Sequence, residues 1–164
     1  MFDVKPKVSN KPTDCGAVCM QMLLDYYGVE VTLEEMLREC NVTLSGCNGK
    51  DLLLCGRKYG LEMRAWAANT EDVVNIFDRP SIVWWKRNHW VVCCGLNEYG
   101  KVVICNPNKG RYSVSRALFE AFYDNCYHVL RPEEGVDFWG GVAISNGEPP
   151  SGDEIEPVNG DVIG

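Results

Sequence analysis

Thr13-Asp14-Cys15-Gly16-Ala17-Val18-Cys19-Met20-Gln21-Met22-Leu23-Leu24-Asp25-Tyr26-Tyr27-Gly28 is the stretch on which the fold turns. Its apolar positions Val18, Met22 and Tyr26, flanked by Cys19, Leu23 and Tyr27, recur every three or four residues, and Gly28 follows as a stop signal. The spacing predicts a helix from Cys15 to Tyr27 with one buried face. Asp14 is a good N-cap for it, and Cys15 falls where backbone N–H groups are unpaired and the helix dipole is positive. Both features favour a thiolate, so Cys15 is a candidate nucleophile. Gly16, lacking a side chain, is expected to leave room for a substrate backbone. The competing assignment for a free cysteine is a small buried packing residue.

Upstream, residues 1 to 13 carry two prolines and no periodicity, so they read as an extended entry segment. Downstream, Thr32-Leu33-Glu34-Glu35 is a capping box opening a short helix to about Cys40. Ser45 to Gly49 is a loop by composition, Asp51 is expected to cap a third helix running to Lys58, and Leu61 to Ala67 alternates like a strand. Asn69 to Phe77 has the pattern of a fourth helix, stopped before Pro80. The second half then changes to strand signals at Ser81–Trp85, His89–Leu96 and Lys101–Cys105, with Asn97 to Gly100 as a turn. A short helix over Ser115–Tyr123 and a last strand over Cys126–Leu130 follow. Helices first and an antiparallel meander afterwards predict an α+β domain, its N-terminal helical part packed on the sheet.

The 164 residues, 46% of them apolar, suffice for one sizeable core. Residues 1–131 are expected to form it, and 132–164 to be an acidic Gly/Pro-rich C-terminal tail. The net charge of −7 belongs to residues 131–164, because acidic and basic residues balance through Leu130. A neutral body without a basic stripe excludes nucleic acid as an expected partner. No run is apolar for long enough to insert in a membrane. Nine cysteines, an odd number, with no secretory leader, point to reduced thiols and a cytoplasmic protein, with a virion or other assembly component as a further option.

Only two histidines are available to partner Cys15. His89 opens its strand, where working side chains are usually exposed, whereas His128 lies mid-strand and reads as structural. Antiparallel pairing after the four-residue turn brings Asn106 back beside His89. A cationic His89 would lower the thiol pKa and later protonate a leaving amine, and Asn106 would hold the imidazole in its tautomer and plane. The Cys15 backbone N–H is one oxyanion donor. The cysteine pairs Cys15/Cys19 and Cys93/Cys94 lack zinc-site spacing, so neither metal nor cofactor is expected. Trp85 and Trp90, with Gly16, are candidates for a substrate groove, although aromatic residues in sheets more often serve packing.

Asp14-Cys15-Gly16-Ala17-Val18-Cys19-Met20 with Tyr26-Tyr27-Gly28, then Asn88-His89-Trp90-Val91-Val92, then Val103-Ile104-Cys105-Asn106-Pro107 with Gly110, resembles the C39 peptidases. These are papain-like cysteine peptidases that remove double-glycine leaders from bacteriocin precursors. The resemblance runs over residues 9 to 130 and implies a papain-like fold, with Cys15 as nucleophile, His89 as base and Asn106 as third residue. Two positions depart from the family pattern. Asn106 stands where Asp is usual, and Ser9 stands where the family places a glutamine that donates to the oxyanion. Asn10 has the right amide one position closer, so Ser9 and Asn10 are the remaining oxyanion-hole candidates.

The implied activity is a thiol hydrolase cutting a peptide or protein substrate through a Cys15 acyl-enzyme, with amidase and acyltransferase chemistry sharing that step. The alternative is a weakened C39-like domain serving as a peptide-binding or structural assembly subunit. The acidic tail could then contact a neighbouring subunit or its own groove. Leu130 to Gly141 resembles a double-glycine leader, but Pro132 and Gly135 interrupt the helix such leaders form, which favours coincidence over self-cleavage after Gly141.

Overall fold

A computed structural model describes residues 1–67, 77–86, 88–123, 129–132 and 155–157. The chain enters across the sheet, makes a 3-10 turn at Pro12–Asp14, and passes directly into α1 (Cys15–Tyr26). Asp14 is therefore not the expected cap. Proline in the first turn has already set helical geometry, and Asp14 itself is helical at φ −86°, ψ −8°, with no first-turn amide on its side chain. The C-terminal end behaves as expected, with Gly28 at φ 85° taking the left-handed conformation that ends the helix.

Helix α2 (Leu33–Glu39) begins at Thr32, whose hydroxyl accepts the Glu35 N–H at 3.1 Å. Only that half of the predicted box forms, because the Glu35 carboxylate accepts the Tyr59 hydroxyl instead. Helix α3 (Gly49–Lys58) starts two residues before the expected cap. Asn48 is the N-cap and Asp51 completes the reciprocal box from the third helical position.

The strands are β1 (Met63–Ala67), β2 (Ser81–Trp85), β3 (His89–Leu96), β4 (Val102–Asn106), β5 (Gly110–Val114), β6 (Val129–Pro132) and β7 (Ile155–Pro157), with α4 (Arg116–Tyr123) between β5 and β6. They form one sheet in the order β5-β4-β3-β2-β6-β1-β7. Every neighbouring pair is antiparallel except β1 and β7, which run parallel. Strand β5 goes beyond the expected elements, since Gly110-Arg111-Tyr112-Ser113-Val114 is an edge strand with only one buried side chain and gives little periodic signal. So does β7, three residues within the acidic tail. The expected helix over 69–76, His128, the Cys126 end of the expected last strand and the Gly140-Gly141 pair lie outside the described residues.

Alternation along the strands divides the core. Ile82, Trp90, Val92, Cys94, Val103 and Cys105 face α1, α2 and α3, whereas Val83, Trp85, Val91, Cys93, Val102 and Ile104 face Phe119 and Tyr123 of α4. The helices thus cover both faces, α1 to α3 on one and α4 on the other. Adjacent Cys93 and Cys94 are both fully buried, one in each half of the core. The eight cysteines among the described residues are all free thiols. Among the described residues, no helix is long and apolar enough to cross a membrane, and no group of three or more metal-ligating side chains converges.

Candidate active site

Two of the proposed site residues, His89 at the start of β3 and Asn106 at the end of β4, meet at one end of the sheet. The β3–β4 register pairs Val92 with Cys105, which places His89 and Asn106 diagonally on the same sheet face. His89 Nε2 lies 2.9 Å from Asn106 Oδ1. The Asn106 amide is held at both ends, since Oδ1 also accepts the Asn108 backbone N–H at 2.9 Å and Nδ2 donates to Tyr112 Oη at 3.1 Å. A backbone N–H can only donate, so the atom it meets must be the amide oxygen. His89 Nε2 must then carry a proton, leaving Nδ1 as the basic nitrogen of the neutral ring.

Burial pushes the His89 imidazole below its ordinary 6.5, the Asn106 bond opposes that, and Lys86 and Lys109 add to the lowering. The ring is therefore a neutral base at pH 7. The turn ahead of it is anchored from the α4 side, with the Lys86 N–H bonded to Phe122 O at 2.9 Å and Lys86 at φ 52°.

Cys15 is 8% exposed, and the nearby backbone N–H groups of Trp90, Gly16 and Cys15 itself favour its thiolate. Burial nevertheless outweighs these donors and holds the thiol above its ordinary 9.0, with the Asp14 charge adding to the rise. This corrects the expectation of a depressed thiol pKa beside a cationic His89. Both shifts favour the neutral groups, and among the described residues no hydrogen bond joins Cys15 Sγ to the imidazole. The two elements meet through packing, with Cys15 and Trp90, the residue after His89, in the same core cluster.

Upstream, the Ser9 N–H bonds to Pro107 O at 2.8 Å, which ties the entry segment to the end of β4. The Ser9 hydroxyl donates to Asp14 at 2.9 Å and accepts the Lys11 N–H at 3.3 Å. It is thus committed within its own turn, whereas Asn10 is exposed and its carboxamide has no partner among the described residues. Of the two side-chain candidates, Asn10 is the one with free donors.

The three groove candidates do not line a groove. Trp85 is 1% exposed on the α4 face, packed against Phe119 and Phe122 at ring-centroid distances of 5.4 and 5.3 Å. Trp90 is buried beneath α1 and α3, with its indole N–H on Cys47 O at 3.4 Å. The space beside Gly16 is filled by the protein itself. A Cβ there would lie 2.5 Å from Cys47 Sγ, 3.2 Å from Trp90 Cδ1 and 3.3 Å from Leu52 Cδ2. Even spacing of aromatics along a strand says which residues share a face, not whether a helix covers that face. Gly16→Ala is accordingly expected to destabilise by about 1–3 kcal/mol through overpacking, and Cys47→Ala in the same chain to recover most of it, as read by urea unfolding.

Solved structures place this architecture among peptidase domains. The chain matches a double glycine motif protease from an AMS/PCAT transporter, solved in complex with its leader peptide, at TM-score 0.74 and 28% identity, covering 80% of this chain and 94% of that one. It also shares the fold of the peptidase domain of Streptococcus ComA, a bi-functional ABC transporter, at TM-score 0.69 and 19% identity, covering 79% and 99%. Because the peptidase C39 family model matches residues 3–135, the chain belongs to the peptidase C39 family. A curated relative is the probable microcin-H47 secretion/processing ATP-binding protein MchF of Escherichia coli, 22% identical over 110 residues. The match takes in 67% of this chain but only 16% of that protein, so the chain spans about one sixth of its length.

Proposed function

We propose that the chain is a cysteine peptidase that cuts after a double glycine, with Cys15 as nucleophile, His89 as base and Asn106 as the residue that orients the imidazole. The observation that carries this reading is the His89–Asn106 pair, 2.9 Å apart, with His89 on the strand against which the Cys15 helix packs. In the first step the Cys15 thiol proton passes to His89 Nδ1 as Sγ attacks the scissile carbonyl. The tetrahedral oxyanion is met by the Cys15 backbone N–H and the Asn10 carboxamide. Collapse forms a thioester and the imidazolium protonates the departing amine. Water, deprotonated by His89, then hydrolyses the thioester and restores the thiol.

The substrate class is taken from the leader peptide bound by the AMS/PCAT relative and is extended to this chain as part of the proposal. Incubation with a synthetic peptide carrying an internal Gly-Gly is expected to yield a fragment ending in the second glycine, read by mass spectrometry. Binding of that peptide without any product would favour the alternative, a peptide-binding or assembly subunit. The committed Ser9 hydroxyl is the one observation on that side. Self-cleavage after Gly141 is excluded if intact mass stays unchanged on long incubation.

The directions of the two pKa shifts predict the pH profile. His89 titrates below 6.5 and must be unprotonated to accept the thiol proton, so activity falls only below that value. The Cys15 thiol ionises above 9.0, so the alkaline limb lies beyond it. The expected kcat/KM is flat between these limits, and ultraviolet difference absorbance against Cys15→Ala shows no thiolate at pH 7. A thiolate present at pH 7 would instead mean a preformed ion pair.

A further inference from the structure

We propose that Tyr112 is the positioning residue for Asn106 and, through it, sets the tautomer and plane of His89; its catalytic weight rests on the peptidase reading above. Asn106 occupies the middle of a row across three strands. His89 of β3 meets its oxygen at 2.9 Å, and Tyr112 of β5 accepts from its nitrogen at 3.1 Å. Tyr112 pairs with Ile104, so its ring reaches Asn106 along the diagonal on the α4 face, packed against the core cluster that includes Ile104 and Val114.

The need for such a residue follows from the amide itself. A carboxylate at position 106 would present two equivalent acceptors to His89, whichever way it turned. A carboxamide has one accepting and one donating end, and only the accepting end holds His89 with its proton on Nε2. Asn106 is 5% exposed, so the donating end needs an acceptor inside the protein. Tyr112 Oη is that acceptor, and the Asn108 N–H marks the other end. With the phenol oxygen removed, the amide nitrogen is orphaned, and the side chain regains a partner only by rotating towards water. That rotation withdraws Oδ1 from His89.

The test reads the imidazole directly by nitrogen NMR, with His89 assigned by comparison with His128→Gln. In the wild type, His89 is expected as the Nε2–H tautomer. Tyr112→Phe is expected to mix the two tautomers and to lower the His89 titration midpoint further, because the bond from Asn106 is what raises it. On a Gly-Gly peptide it is expected to lower kcat about tenfold to a hundredfold with KM little changed. In an Asn106→Asp background the same Tyr112→Phe change is expected to leave the tautomer unaltered, since a carboxylate has no wrong end. A folded Tyr112→Phe protein with the wild-type tautomer and titration overturns the proposal. Should that variant fail to fold, hydrogen exchange of the Asn106 carboxamide in the wild type decides, with protection expected and free exchange overturning it. A changed tautomer with unchanged cleavage supports the positioning role and overturns His89 as the base.

Discussion

Cys15→Ala and His89→Ala are each expected to lower cleavage of a Gly-Gly peptide by ten-thousandfold to a millionfold, on the order seen when a nucleophile or its base is removed from a triad enzyme. In the proposed mechanism the two residues act in one step. Without the thiol there is nothing for the base to deprotonate, and without the base the thiol, held neutral by burial, is a poor nucleophile. The double variant should therefore be no slower than either single one, and the rates are compared by product mass spectrometry at fixed enzyme. Asn106→Ala should cost less, because the imidazole remains and only its orientation is lost. A domain that only binds peptides would show the same affinity in wild type and Cys15→Ala and no product from either.

Trp85→Ala is expected to lower unfolding stability by about 3–5 kcal/mol, as for other large aromatic side chains removed from a packed core. Against a total of about 5–15 kcal/mol this is a large fraction, so urea unfolding should shift far towards lower denaturant. The ring fills the space between β2 and α4, and the same helix holds the turn ahead of His89 through Phe122. Residual activity should fall with the folded fraction and leave KM unchanged. A substrate-groove tryptophan would behave the other way, with KM raised and stability nearly intact.

Much of this protein is legible in its sequence because the informative signals are local. The 3.6-residue period of Val18, Met22 and Tyr26 and the left-handed glycine after them specify α1 without reference to anything distant. Two-residue alternation does the same for β2, β3 and β4, and the short turn at Asn97 to Gly100 sets which strands pair, which in turn brings Asn106 to His89. Signals that depend on neighbours were not legible. Edge strand β5 has little alternation of its own and forms because β4 supplies its hydrogen bonds, so nothing local marks Tyr112. Whether Asp14 capped a helix depended on Pro12 having already begun one.

By itself the sequence determined the α+β order, the membership that its three motifs announced, and the candidates Cys15, His89 and Asn106. Periodicity, turn chemistry and motif spacing all act over a few residues, and each can be read from the chain alone. Tertiary structure decided which face each tryptophan occupies, that the space beside Gly16 is filled by Cys47, and that Asn10 rather than Ser9 keeps its donors free. It also decided the ionisation of Cys15. The backbone donors at the start of α1 pull its pKa down as the sequence suggested, but burial pushes it up by more, and burial is a property of everything packed around a residue rather than of the residue's neighbours in the chain.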